Sequence, residues 1–405
     1  MSKCLICGNL IQPFISFGKM PIANGFLKME QFKKEYFFEL KVAFCPKCTM
    51  VQLTEFVDRE KMFHENYAFF SSTSKMMSEH FKEFADEVQS KYLSQKDPFV
   101  VEIGSNDGIM LQNFAKKGIR HLGVEPSKNV AEIAKGKGIN TISQFFDEEL
   151  AHKIVKTDGQ ADAFIAANVM CHIPYFHSIV AGIKILLKQE GIVMFEDPYL
   201  GDVIEKTSYD QIYDEHAFVF SVSSINYVFQ QHDMEVIDVS PQEVHGGSMR
   251  YIIAHKGVKK VSKNVFIQME REKALGLNLP ETFDLFRNNC EKSRDSLKTI
   301  LVDLKNKGKK VVGYAATSKS TTVLNYCGIT PDLIEYICDT TPLKQGKFSP
   351  GMHIPVFSYE KFVAEKPEFA LLFGWNHAKE IMAKEKKYSD SGGKWIVYVP
   401  QVNII

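Results

Sequence analysis

Phe99-Val100-Val101-Glu102-Ile103-Gly104-Ser105-Asn106-Asp107-Gly108, with Val124-Glu125 beyond it, is the stretch on which the reading of this chain turns. An apolar run carries one acidic residue and ends in a glycine-rich turn. A helix-like segment from Ile109 to Lys117 follows, and a second short strand from His121 to Val124 closes on Glu125. That is the Rossmann-type order, in which glycines let the backbone approach a ligand and the distal carboxylate accepts from ribose hydroxyls. The turn reads G-S-N-D-G, however, and carries no G-x-G-x-x-G. A pyrophosphate needs free N–H groups at a helix N-terminus, and Asp107 would repel it. The acidic turn suits a zwitterionic or cationic ligand instead, of which S-adenosylmethionine (SAM) is the expected example. An ordinary strand–turn–helix is the competing reading.

Outward from that stretch, strand and helix signals alternate from Phe99 to about His255, which predicts a doubly wound α/β unit. Its further strands are Asp162–Asn168, Ile192–Glu196 and a late pair near Glu235–Val239 and Arg250–Ala254. Ligands of open α/β sheets lie at the carboxyl ends of the strands. The residues to inspect are therefore Gly104 to Gly108, Glu125, Asn168 to His172, and Glu196-Asp197-Pro198-Tyr199. Ser143-Gln144-Phe145-Phe146, past another short apolar stretch, offers an aromatic face and an amide to an adenine ring.

Tyr209-Asp210-Gln211-Ile212-Tyr213-Asp214-Glu215-His216 packs two tyrosines, three carboxylates and a histidine ahead of an apolar run. His216, with a carboxylate beside it, is the candidate general base, because imidazole titrates near neutrality. His245-Gly246-Gly247-Ser248-Met249-Arg250 is either a hairpin turn or a place where backbone and Arg250 approach a substrate phosphate.

Upstream, Cys4-Leu5-Ile6-Cys7-Gly8 and Cys45-Pro46-Lys47-Cys48 form two C-x-x-C pairs, the zinc-knuckle pattern of a closed four-thiolate structural site. Phe17 to Leu27, between them, reads as a packed surface loop of the zinc module. Phe63 to Ser74 is dense in aromatics and hydroxyls, and either packs as core or folds over the site as a lid. A helix from Lys75 to Leu93 leads into the first strand. Downstream, Lys260 to Lys307 reads as a helical connector broken at Gly276–Pro280. A second alternating unit follows, with strands Lys310–Ala316, Ile334–Cys338, Phe369–Phe373 and Trp395–Val399 and a helix from Lys319. Thr317-Ser318-Lys319-Ser320 at that helix start could hold a phosphate. Cys171, Cys290, Cys327 and Cys338 lack metal spacing and read as buried thiols.

The totals agree with several compact units: 405 residues, 45% hydrophobic and 24% charged. With 49 basic against 49 acidic side chains, nucleic acid is not the expected partner. No secretory h-region and no span-length apolar run is present, so the expectation is a cytoplasmic, membrane-free monomer with reduced cysteines.

The cysteine module, E-I-G-S-N-D-G, A-N-V-M-C-H, Y-D-Q-I-Y-D-E-H, H-G-G-S-M-R and G-Y-A-A-T-S-K-S occur in that order over nearly the whole chain. Together they resemble the sugar C-methyltransferases, which methylate C3 of nucleotide-linked 4-keto-deoxysugars. The resemblance implies a zinc-binding module (residues 1–70), a class I SAM methyltransferase domain (71–258) and a C-terminal Rossmann-like domain (259–405) that helps hold the nucleotide-sugar. It implies catalytic roles for Tyr67, His172, Tyr213, Glu215 and His216, and SAM contacts from Glu102, Gly104, Asn106, Glu125 and the Gln144–Phe145 region. Gly108 and Asn168, at the same strand ends, are expected to join the cofactor site. Gly246, Ser248, Arg250, Ser318 and Lys319 are expected on the substrate side. Asp214 stands where the family often has histidine, and A-A-T-S-K-S where relatives often have a G-A-P-A-K-G-like turn. Rival readings are a sugar O- or N-methyltransferase, a non-catalytic zinc and nucleotide scaffold, and a reductase, the last lacking G-x-G-x-x-G in the C-terminal unit.

Overall fold

The structure, a computed structural model, describes residues 2–63 and 75–405. Its centre is a seven-stranded sheet in the order Met234–Gln242, Ser248–His255, Leu187–Pro198, Ala161–Ala167, Phe99–Ile103, Arg120–Val124, Thr141–Ile142. The last five are mutually parallel, and Ser248–His255 runs antiparallel to both neighbours. Phe99–Ile103 is buried along its whole length, because helices cover both faces of a parallel sheet. Val100 packs with Phe84 and Val88 of helix Lys75–Tyr92 on one face. Val101 packs with Leu150, Ile154, Ile179 and Ile183 on the other. Strand order reverses at Phe99–Ile103 beside Ala161–Ala167, and that switch point fixes where a ligand crevice opens.

The segment expected to be helical from Ile109 to Lys117 contracts to Gln112–Ala115. Asn113 Nδ2 donates to the carbonyls of Ile109 and Met110, a side chain competing with the helical ladder.

In the N-terminal module, two knuckles turn back at Gly8 (φ 72°) and Thr49 (φ 57°), each one residue past the second cysteine of its pair. The Phe17–Leu27 reading is corrected by strand Pro13–Pro21, which alternates buried Ile15 and Phe17 with exposed neighbours and pairs with Phe37–Phe44. A register shift between Ser16 and Lys19, at Gly18 (φ 80°), interrupts the alternation that would have announced a strand. Val51–Leu53 continues this sheet, and Phe218–Val219 of the central domain completes it.

Helices Lys263–Ala274 and Pro280–Asn306 lead into the C-terminal sheet. Its order is Val356–Ser358, Ile337–Asp339, Val311–Tyr314, Phe369–Leu372, Lys394–Val397, Asn403–Ile404, parallel except for the last pair. This sheet too reverses, between Val311–Tyr314 and Phe369–Leu372, and so makes a second crevice. The fold is thus α/β, with a small N-terminal cysteine module, a central Rossmann-like domain and a C-terminal Rossmann-like domain. No described helix is long and apolar enough to cross a membrane.

Candidate active site

The first crevice is built by the turn after Ile103. Gly104 adopts φ 59°, and a Cβ there would lie 2.3 Å from Val169 Cγ2, so only glycine lets the two strand ends close. Asn106 is also left-handed, at φ 48°, and its backbone N–H donates to Glu125 Oε2 at 3.0 Å. Ser127 N–H donates to the other oxygen at 2.8 Å, so Glu125 ties two strand-end turns together. Burial, then repulsion from Glu125 and Asp107, holds the Glu102 carboxyl well above the usual carboxylate range. Burial also raises Glu125, against the donors Ser127 and Asn106. Three carboxyls thus crowd one turn, and among the described residues Glu102 Oε2, Ser105 Oγ and Ser143 Oγ are buried without a hydrogen-bond partner. Orphaned acceptors and hydroxyls around an acidic turn fit the cationic, polyhydroxylated SAM molecule. Gly108 (φ 79°) packs against Ile139, and Gln144 is exposed. Phe145, the expected adenine face, carries the Arg59 guanidinium 4.2 Å above its ring, with Tyr175 on the guanidinium at 4.9 Å.

Around the next strand ends the structure gathers His172, Tyr213, Glu215 and His216. The His172 and His216 rings are 5.2 Å apart, and the Tyr213 and His216 rings 4.1 Å. His216 is buried, and its Nδ1 lies 2.6 Å from the Gln211 carbonyl. An imidazole there must donate through Nδ1, which leaves Nε2 as a bare lone pair. Burial, reinforced by His172, pushes the His216 pKa well below the ordinary histidine range. Burial likewise lowers His172 to about 4, and its Nε2 has no partner among the described residues. Both rings are therefore neutral at pH 7. Burial pushes Glu215 up to about 7, against the opposing pull of Asn24 and Lys344. Asp214 rises to about 8 through burial and the Glu215 charge. Tyr67 lies outside the described residues.

The two crevices face one another. Asn168 (φ 56°) places its amide 3.2 Å from His245 Nε2. The His245-Gly246-Gly247 segment is the hairpin of the two sequence readings, joining Met234–Gln242 to Ser248–His255. Gly246 abuts Trp375 of the C-terminal unit so closely that a Cβ would lie 2.3 Å from the indole. Thr317 caps helix Ser318–Cys327, accepting from Ser320 N–H at 3.1 Å. Lys319 Nζ reaches the His245 carbonyl at 3.3 Å and Asn376 Oδ1 at 3.4 Å. Burial lowers Lys319 to about 8, with Asp210 pulling the other way. Trp375 Nε1 donates to Asp210 Oδ2 at 2.6 Å, and Gln211 Nε2 bonds the His245 carbonyl.

Two expected substrate residues are turned to other work. Arg250 is buried, with Nη1 on Glu87 at 2.7 Å and Nε and Nη2 on Glu196 at 3.1 and 2.9 Å, so its guanidinium is spent inside the domain. His80 bonds the other Glu196 oxygen. Ser248 is fully buried, its hydroxyl 3.3 Å from the Val244 carbonyl. Residues that the sequence reading missed include Trp375, Asn376, Lys344 and Asn24. The strand-end rule, applied to Phe369–Leu372, would have found Trp375 and Asn376; Asn24 carries no local signal.

In the N-terminal module, Cys4 Sγ lies 3.5 Å from Cys48 Sγ, and Cys7 Sγ 3.4 Å from Cys45 Sγ. All four sulfurs fall within 4.8 Å of one another. Tetrahedral zinc with Zn–S bonds of ~2.3 Å needs sulfurs about 3.8 Å apart, so the set fits a closed structural zinc with no open coordination position. His177 Nε2, 2.8 Å from the Ile6 carbonyl, docks this knuckle on the central domain.

Three family profiles match the chain in order: "Putative zinc binding domain" over residues 4–63, "Methyltransferase domain" over 76–239, and "C-methyltransferase C-terminal domain" over 243–400. The chain is 31% identical over 408 residues to the C-methyltransferase NovU of Streptomyces niveus, an alignment covering 100% of this chain and 97% of that protein. Among solved structures, a SAM-dependent methyltransferase of Anabaena variabilis covers 43% of this chain and 84% of its own, at 18% identity and a TM-score of 0.35. The SAM-bound magnesium protoporphyrin IX methyltransferase of Synechocystis covers 49% and 89%, at 13% identity and a TM-score of 0.34. At those scores the solved structures add nothing to the assignment.

Proposed function

The chain belongs to the C-methyltransferase family, and on that premise we propose that it methylates C3 of a nucleotide-linked 4-keto-deoxysugar by way of an enolate. SAM dependence and transfer to carbon follow from the family; the sugar, the position and the residue roles are our reading. A C–H beside a ketone is a poor nucleophile until its proton is removed. The observation that carries the proposal is His216, whose Nδ1 is held on the Gln211 carbonyl, which leaves Nε2 unprotonated in a ring that lies beside His172 and Tyr213.

In this reading His216 Nε2 takes the C3 proton and the electron pair moves onto the C4 oxygen. SAM, when bound, supplies the electrophilic methyl group. His172 and Tyr213 face the developing oxyanion as hydrogen-bond partners; Tyr67, outside the described residues, is given a role only by the resemblance. The proton taken up gives His216 a charge that its buried site disfavours when empty; an anionic enolate alongside it offsets that cost. Holding sugar and cofactor between the two crevices supplies the orientation that an in-line transfer needs. Glu102, Gly104, Asn106, Gly108, Glu125 and Asn168, with Gln144 and Phe145, are the cofactor residues of this scheme. On the sugar side, the helix start at Ser318 and the Lys319 ammonium suit a diphosphate, and Gly246 shapes the wall between the units.

A second assignment has its own support: Glu215, raised to about 7, is matched to proton abstraction at neutral pH. The test is mass spectrometry of products formed from SAM and a panel of dTDP-, CDP- and GDP-linked 4-keto-6-deoxysugars. The proposal expects one sugar of the panel to gain one methyl on carbon, with turnover lost in His216→Asn and retained in part by Glu215→Gln. Methylation on oxygen or nitrogen, or of no member of the panel, would defeat it.

A further inference from the structure

Ala23 and Asn24 follow the zinc module's strand Pro13–Pro21, yet three of their hydrogen bonds go to the other two units. The Ala23 N–H donates to Asp214 Oδ1 at 2.9 Å, and the Ala23 carbonyl accepts from the Thr321 hydroxyl at 2.8 Å. Asn24 Nδ2 donates to Glu215 Oε1 at 2.7 Å. One dipeptide therefore joins the His216 segment to the start of helix Ser318–Cys327. The groups that act on Glu215 come from several sides: Asp214 along its own segment, with His216 the next residue in the chain, Cys171 from the central domain with His172 next to it in the chain, Lys344 from the C-terminal unit, and Asn24 from the zinc module. Lys344 is itself anchored, donating to the Ala316 carbonyl at 2.6 Å.

We propose that Asn24 is a positioning residue of the methyl transfer, through which the zinc module fixes the rotamer of Glu215 and favours its ionised form beside the base. The proposal rests on the reading of the His216 segment as the reaction centre. A carboxylate accepts an amide N–H well and a carboxylic acid accepts it poorly, so the donor favours the charged form. Burial works the other way, and Asn24 and Lys344 are the two groups that restrain it. Of these, Asn24 makes the direct contact. The zinc module then forms a wall of the reaction centre, and its Asn24, 191 residues away in sequence, bears on the carboxyl of the residue before the base.

The test reads Glu215 directly, without substrate. In zinc-loaded, full-length protein, the carboxyl stretch of Glu215, identified by its loss in Glu215→Gln, is titrated by difference infrared spectroscopy. Asn24→Ala is expected to move that titration up by about one pH unit, and Asn24→Asp further, since it adds a like charge. Melting temperature and SAM affinity should stay near wild type, and the acid limb of the kcat profile should move with the infrared titration. Asn24→Asp keeps the side-chain shape should the alanine variant fold poorly. A Glu215 titration unmoved in both variants overturns the proposal, whatever the substrate proves to be. A titration that moves while the kcat profile stays put overturns the role in the reaction, and leaves His216 as base untouched.

Discussion

Replacing Gly104 by alanine tests how the cofactor turn is closed. The residue sits at φ 59°, and its new Cβ would lie 2.3 Å from Val169 Cγ2 and 2.9 Å from Cγ1. Left-handed backbone costs a non-glycine residue roughly 1–2 kcal/mol. Relieving the overlap in a packed site costs about 1–3 kcal/mol more. The expected loss is therefore about 2–5 kcal/mol of stability, measured by denaturant unfolding. Val169 follows Asn168 at the end of the neighbouring strand, so relief of the clash pushes apart the two strand ends that flank the crevice. SAM affinity, read by calorimetric titration, should fall at least about tenfold, which needs only ~1.4 kcal/mol. Adding Val169→Ala removes the overlap and leaves the backbone cost, so the double variant should recover part of both losses. Wild-type stability and affinity in Gly104→Ala, or no recovery in the double variant, would show that this contact does not close the turn.

Cys45→Ser, or chelation, should lower zinc from one ion per chain and depress melting of the central domain too, because Cys4, Cys45 and Cys48 share a buried cluster with Val101 and Phe164; unchanged melting after complete zinc loss would contradict this. Burial raises Asp197 to about 8, against an unfolded value near 3.9, so the folded protein holds the extra proton between those limits and stability falls as pH rises through that window. Asp197→Asn should flatten this dependence between pH 5 and 8 and add on the order of 4–5 kcal/mol at pH 8, by thermal or denaturant melts; an unchanged slope counts against it. Lys319→Met should raise KM for the nucleotide-sugar about 10- to 100-fold while leaving SAM affinity alone, and equal effects on both ligands would remove Lys319 from the sugar side.

Much of this architecture was legible in the sequence, for physical reasons that also mark where legibility ended. Parallel strands buried on both faces must be written as continuous apolar runs, and Phe99–Ile103 was read to the residue. The cysteine pairs were legible because tetrahedral thiolate chemistry dictates their spacing. Strand Pro13–Pro21 was missed because the shift at Gly18 breaks the period-two pattern, and Val356–Ser358 because a three-residue edge strand has too little pattern to show. Arg250 could be seen to follow a glycine turn, but Glu87 and Glu196, which take up its charge, lie 163 and 54 residues away. The same distance hides Asn24. The sequence brought Tyr213, Glu215 and His216 forward in one stretch and His172 through the resemblance; only the fold brings the rings of His172, Tyr213 and His216 together.

In the proposed mechanism, carbon becomes nucleophilic through loss of its proton to His216. That step is tested most directly by incubating enzyme and the accepted nucleotide-4-keto-sugar in deuterated water, with S-adenosylhomocysteine in place of SAM so that no methyl can transfer. Deuterium should enter the position beside the ketone in wild type, and His216→Asn should slow that entry by about 100-fold or more. Wild-type enzyme that methylates this sugar but exchanges no deuterium, or a His216→Asn variant that exchanges at the wild-type rate, would contradict the account.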